Sequence, residues 1–183
     1  MGIIFQSLGR TVTAGLVLLA IVMVMTGGVD LVNGLRWAHT ISGVLWIGLL
    51  YYFNFVQIPS MPKIPDEHKP AIGKVIAPAA LFWFRWAALA TVVTGLVVAA
   101  GAGYLVPALM LQDGTTIIGI GMWLALVMAF NVWFIIWPNQ KKALGIVAVE
   151  AAEKAKAARM AMLTSRFNTM FSIPMLYCMI AQS

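Results

Sequence analysis

The chain has 183 residues, of which 62% are hydrophobic and 10% charged, with a mean hydropathy of +0.92 and a formal net charge of +6. A water-soluble domain of this length could not solvate such a surface, so its long, nearly uncharged runs read as membrane-spanning helices. The positive charge does not imply a nucleic-acid partner, because eleven of the twelve basic residues fall in segments that share one side of the predicted bilayer arrangement.

About five spans are predicted. The first covers 11–26 and ends at Gly27-Gly28. A lone Arg10 precedes it, but no small-x-small cleavage site follows, so it reads as a retained span and not a signal peptide. The second covers 35–58 and is expected to stop at Pro59 and Pro62, since proline has no N–H to continue a helix. A polar segment from Lys63 to Lys74 follows, with Asp66, Glu67, His68 and Lys69. The third span, 79–100, is broken by Gly101, Gly103 and Pro107, and the fourth, 116–137, by Pro138. Residues 139–159 are Ala-rich with Lys141, Lys142, Glu153, Lys156 and Arg159, and predict an amphipathic helix lying at the membrane interface. The fifth span, 160–181, tolerates Pro174.

All basic residues except Arg36 lie at the N-terminal side or in even-numbered connections. The positive-inside rule then places the N-terminus in the cytoplasm and the C-terminus in the periplasm of a bacterial inner membrane. The expected fold is all-α, a single polytopic transmembrane helix bundle over residues 1–183.

Two polar layers follow from this arrangement. Near the outer end of the second span stands His39, the one histidine that falls inside a span. An ionisable residue inside a membrane is costly, and so marks a candidate functional site. Arg36, His39, Gly43, Trp46, Leu50 and Phe53 recur at helical spacing on one stripe, with Gly43 a turn from the imidazole. Gly43 leaves room for a neighbouring helix or a flat ligand. Three readings of His39 stand together. It is a packing residue bonded to a carbonyl or to Tyr177, or an axial ligand of haem b iron, or a contact for a quinone or a proton. The haem reading needs a second ligand, and Met122, Met179 or another chain could supply it.

The inner layer holds Asn54, Arg85, Asn131 and Asn168. Asparagines hydrogen-bond across helices, and a guanidinium can clamp an anion or a haem propionate. Trp83, Trp86, Trp133 and Trp137 fit an interfacial aromatic belt. The single Cys178 excludes an internal disulfide, Cys-rich zinc or iron–sulfur ligation, and the Cys-x-x-Cys-His haem attachment motif. Zinc-protease, phosphate-loop and nucleophile-elbow motifs are all absent.

The segments Leu35–Gly48, Trp83-Phe84-Arg85-Trp86, Trp137-Pro138-Asn139-Gln140 and Arg166–Pro174 resemble the N-terminal membrane domain of PuuD-type urate hydroxylases. The His39-x-x-x-Gly43-x-x-Trp46-Ile47-Gly48 piece is also similar to copper-resistance D and membrane protoporphyrinogen oxidase proteins, where such a histidine is linked to haem. The resemblance implies His39, Trp46, Arg85 and Asn168 as functional positions. Together with the stripe through Gly43, they give His39, Gly43, Trp46, Arg85 and Asn168 as the cofactor-binding candidates. In the urate family a cytochrome c domain follows the membrane domain. This chain carries no such motif, so the resemblance implies an electron acceptor on another polypeptide, a periplasmic cytochrome c. Two functions are expected: a subunit of a membrane redox complex holding haem b or a quinone at His39, or a non-catalytic subunit of a larger membrane assembly, bound through small-residue faces at Gly95 and Gly119-Ile120-Gly121.

Overall fold

The computed structural model describes residues 2–181, with no β-strand among the described residues. After a helical turn at Gly2–Phe5, the helices are α1 (Leu8–Met25), α2 (Leu31–Lys63), α3 (Lys69–Gly101), the short α4 (Leu105–Leu109), α5 (Thr116–Ala143) and α6 (Ala151–Ala181). By length and composition, the four helices α1, α2, α3 and α5 can each cross a membrane.

The bundle is built from two hairpins. In the first, α2 and α3 run antiparallel, since His39 meets Thr91 while Phe53 meets Phe84 further along. In the second, Gly121 of α5 meets Cys178 of α6 and Asn131 meets Asn168, again antiparallel. The hairpins join through one apolar core: Trp46, Leu50 and Phe53 from α2, Leu81, Phe84 and Ala88 from α3, Met128, Val132 and Ile136 from α5, and Met175 from α6. Phe53 and Phe84 meet edge-on with ring centroids 5.6 Å apart, the geometry their quadrupoles favour. By contrast, α1 buries none of its residues.

The stripe read from the sequence is the face α2 turns to α3. Its members Trp46, Leu50 and Phe53 are buried, His39 and Gly43 are half-buried, and Arg36 at its end is exposed. The helix starts earlier than expected, at Leu31, because the Asp30 carboxylate caps it by accepting the Asn33 backbone N–H at 2.8 Å.

Two expectations are corrected. Pro59 and Pro138 do not stop their helices. The residue before each proline donates its N–H five residues back, Ile58 to Phe53 and Trp137 to Val132, and Ala77 before Pro78 donates likewise to Ile72. A proline in a regular α-helix loses one hydrogen bond and clashes with the carbonyl four residues back. A π-helical turn inserts one extra residue and absorbs both defects, so α2 continues to Lys63 and α5 to Ala143.

Nor do residues 139–159 form a separate interfacial helix. The first of them complete α5, a turn through Gly145 at φ 74° follows, and α6 then runs unbroken from Ala151 into the fifth predicted span. The Ala-rich stretch serves packing: Ala157 and Ala161 are buried, and Lys142 pairs with Glu153 across the turn. Helix α6 is less apolar than the other long helices: it carries Glu153, Lys154, Lys156, Arg159 and Arg166, and it buries Ser165, Asn168 and Ser172 in the bundle.

A repeated plan underlies the two hairpins. Trp46 and Trp123 precede a Phe-Asn pair, Phe53-Asn54 and Phe130-Asn131, by the same spacing, and each asparagine stands in a π-helical turn ahead of a proline. At the connection between α2 and α3, Lys69 lies 2.6 Å from Asp66 and holds that carboxyl below the ordinary carboxylate range.

Candidate functional site

His39 projects from α2 against the Thr91–Gly95 stretch of α3. Its Nδ1 lies 2.9 Å from the Thr91 carbonyl oxygen, and the Thr94 hydroxyl oxygen is 3.5 Å away. That hydroxyl donates its proton to the Ala90 carbonyl at 2.6 Å, so it faces the imidazole with a lone pair. Both neighbours of Nδ1 are therefore acceptors. Nδ1 carries the proton, and Nε2 keeps its lone pair and has no hydrogen-bond partner among the described residues. A backbone carbonyl fixing the ring through one nitrogen while the other stays open is the arrangement that orients metal-ligating histidines.

Gly95 is what makes this seat possible. A Cβ at that position would lie 2.7 Å from His39 Cε1 and 3.0 Å from Nδ1. The stretch Thr91-Val92-Val93-Thr94-Gly95 therefore supplies acceptor, lone pair and gap. Sequence reasoning assigned the gap to Gly43 instead. A Cβ on Gly43 would meet only the Thr91 methyl, at 3.7 Å, an ordinary contact. The missed signal was the spacing of Thr91, Thr94 and Gly95, which shares one helical face within a span. Of the packing partners expected for His39, the carbonyl is the one found, while Tyr177 is 65% exposed.

The remaining sequence candidates occupy separate places. Trp46 is 0% exposed in the core, and its indole N–H has no acceptor among the described residues. Asn168 is equally buried: its amide nitrogen donates to the Met128 carbonyl at 2.9 Å, and its carbonyl oxygen accepts from Asn131 at 2.8 Å. Asn54 donates to Leu50 O and to the Ser165 hydroxyl, leaving its own carbonyl oxygen buried without a donor. The Tyr51 and Ser172 hydroxyls meet at 3.0 Å above this layer. Arg85 stands apart from the asparagines, with its guanidinium carbon 3.9 Å from the centroid of the Trp137 ring. The proposed second haem ligands Met122 and Met179 pack with Ala99, Ala108 and Ile118 in an apolar cluster. His68 lies at the opposite end of α2 from His39, beside Glu67. No group of three or more His, Cys, Asp or Glu side chains comes together to hold a metal ion among the described residues.

The glycine faces expected to bind other subunits are filled from within. Gly95 receives His39, Gly119 receives the Ala108 carbonyl, and Gly121 receives Cys178. Close helix approach at small residues is thus used to build this bundle.

The fold defines a helical protein with four helices long and apolar enough to cross a membrane, an anchored histidine towards one end of its first hairpin and an asparagine–serine core towards the other end. A family model described as urate oxidase N-terminal matches residues 110–183. No curated protein matches the chain, and no solved structure does. The match covers the second hairpin and the two resembling segments within it, Trp137–Gln140 and Arg166–Pro174. It spans less than half of the 183 residues. His39, Gly43, Trp46 and Arg85 lie in the first hairpin, outside the match.

Proposed function

We propose that the chain is a subunit of a redox assembly in a bacterial inner membrane, related to the N-terminal region of urate oxidase, with His39 as the contact for a planar redox cofactor. The observation that carries this reading is the pair of acceptors at Nδ1, which leaves the Nε2 lone pair open. The open imidazole nitrogen is a donor that fits haem b. His39 would hold the iron through Nε2, Thr91 O would fix the ring plane and raise its basicity, and Gly95 would keep the ring seated on α3. Haem b would supply one-electron chemistry to this site. Any further ligand would come from a partner chain, since Met122 and Met179, the candidates named from the sequence, are engaged in packing. The same nitrogen would accept the hydroxyl proton of a quinol, and the presence of one ligating nitrogen at this end supports that second reading. Electrons would leave to a periplasmic cytochrome c. A purely structural subunit is less well supported, because the small-residue faces that would carry it are occupied by the chain's own residues.

The test is the cofactor content of the purified full chain, haem and quinone measured after solvent extraction, against His39→Ala. Removing a ligand or its orienting partner costs roughly ten- to a hundredfold in metal affinity, so at least a tenfold drop is expected. Equal content in both proteins, or none in either, contradicts the reading.

The charge asymmetry supports an N-terminus in the cytoplasm and α6 as a fifth span. A cysteine introduced at Gln112 should then react with an impermeant reagent added outside, and one at Gln140 should not. The native Cys178 is buried and gives little background. The reverse labelling pattern overturns the orientation and the link to a periplasmic acceptor.

A further inference from the structure

Arg85 and Lys141 flank a single indole. The guanidinium carbon of Arg85 lies 3.9 Å from the Trp137 ring centroid and 5.4 Å from that of Phe82, while Lys141 Nζ, one turn beyond Trp137 on α5, lies 5.7 Å from the Trp137 ring. Neither cation has an ion-pair partner among the described residues. Of the acids at this end, Asp66 pairs with Lys69, Glu67 lies beside His68 and Glu153 pairs with Lys142, and Glu150 pairs with neither Arg85 nor Lys141. Among the described residues, the guanidinium makes one hydrogen bond, a long one of 3.5 Å to Leu81 O. One turn back on α5, the Trp133 indole N–H is buried without an acceptor, and its ring meets Trp86 edge-on at 5.3 Å. The side-chain groups Arg85, Lys141 and the Trp133 indole N–H that meet here are all donors. On the outer side, Phe82 and Trp86 are 46% and 45% exposed, an apolar flank suited to hydrocarbon.

Two neighbouring cations without counter-charge repel each other, more strongly in a low-dielectric setting than in water, and a shared anion removes that cost. We propose that the face around Trp137, where Arg85 of α3 and Lys141 of α5 meet one ring, binds the phosphate of an anionic phospholipid. Arg85 donates to two phosphate oxygens, held in plane by stacking on Trp137, and Lys141 adds a point charge from the polar side. The acyl chains run along Phe82 and Trp86. Basic pockets between spanning helices at the headgroup level recognise anionic lipids by this combination of charge and apolar wall. The proposal is independent of the His39 reading, since it uses other residues and a different ligand.

The experiment is native mass spectrometry of the full chain released from bilayer discs holding phosphatidylglycerol and phosphatidylcholine in equal amounts, with and without added inorganic phosphate. Wild type should retain phosphatidylglycerol in preference. Arg85→Gln and Lys141→Gln should each lower that adduct about tenfold, the scale of one charge-assisted hydrogen bond. Arg36→Gln, exposed at the opposite end of the first hairpin, should leave it unchanged. Lys141 lies at a helix end, so its variant keeps the test open if Arg85→Gln fails to insert. Equal retention of the two lipids, or an adduct unchanged in both variants, overturns the proposal. Displacement of the lipid by inorganic phosphate also overturns it, by assigning this face to a soluble anion.

Discussion

Gly95→Leu should empty the His39 site while the protein still inserts. The first atom of the new side chain would lie 2.7 Å from Cε1 of the imidazole, so the ring must leave the Thr91 carbonyl before the rest of the leucine is placed. Overpacking of this kind costs roughly 1–3 kcal/mol, and the loss of ring orientation should lower any His39-dependent cofactor content about tenfold or more. Gly95→Ala is the sharper probe. In an exposed helix it would gain about 1 kcal/mol of propensity, and here the collision opposes that gain. Gly43→Ala serves as its control, since its Cβ meets an ordinary 3.7 Å contact and should be neutral or mildly stabilising. Thermal melting in detergent together with cofactor content distinguishes the glycines. Equal behaviour of Gly95→Ala and Gly43→Ala would mean that the ring does not rest on Gly95.

Asn168→Leu should be among the most destabilising single changes in the second hairpin. The leucine keeps the branching of the amide but is bulkier, and it leaves the Asn131 amide and the Met128 carbonyl without a side-chain partner in a buried layer. An orphaned buried polar group costs about 1–3 kcal/mol, more than the ~0.6 kcal/mol typical of an interhelical bond in a membrane protein. Asn131→Leu should cost a similar amount. The double variant should lose less than the sum, because it removes both partners together. Strict additivity of the two losses, measured by unfolding in bicelles, would show that the asparagines act separately.

Much of the fold was legible because hydrocarbon-length apolar runs and the 3.6-residue period are properties of the local sequence. The stripe from His39 to Phe53 is the plainest case, and it is the face α2 buries. The helix ends were not legible. Pro59 and Pro138 read as stops because proline ends most helices, and the π-helical turns that carry α2 and α5 past them arise from how the wider turn removes the clash. The separate amphipathic helix at 139–159 was misread because alternating charge and alanine look alike whether a helix lies on a membrane or extends a spanning helix against its neighbour.

At the site, the sequence marked His39 but assigned its room to Gly43, the glycine on its own helix. The seat is on α3, and which helix packs on which is a tertiary fact that periodicity along one segment does not carry. Arg85 and Asn168 were singled out by their cost inside an apolar run. That criterion found residues that matter to the bundle, but it could not say that one stacks on Trp137 and the other bonds to Asn131.

The central claim is that His39 offers Nε2 to a redox cofactor, and a reduced-minus-oxidised optical spectrum of the purified chain measures it most directly. A Soret and α-band shift that is present in wild type and lost in His39→Ala is the result this account predicts for haem b. A quinone in place of haem would give an ultraviolet difference band with the same dependence on His39. A flat spectrum from the visible to the ultraviolet, or one that persists unchanged in His39→Ala, would contradict the account.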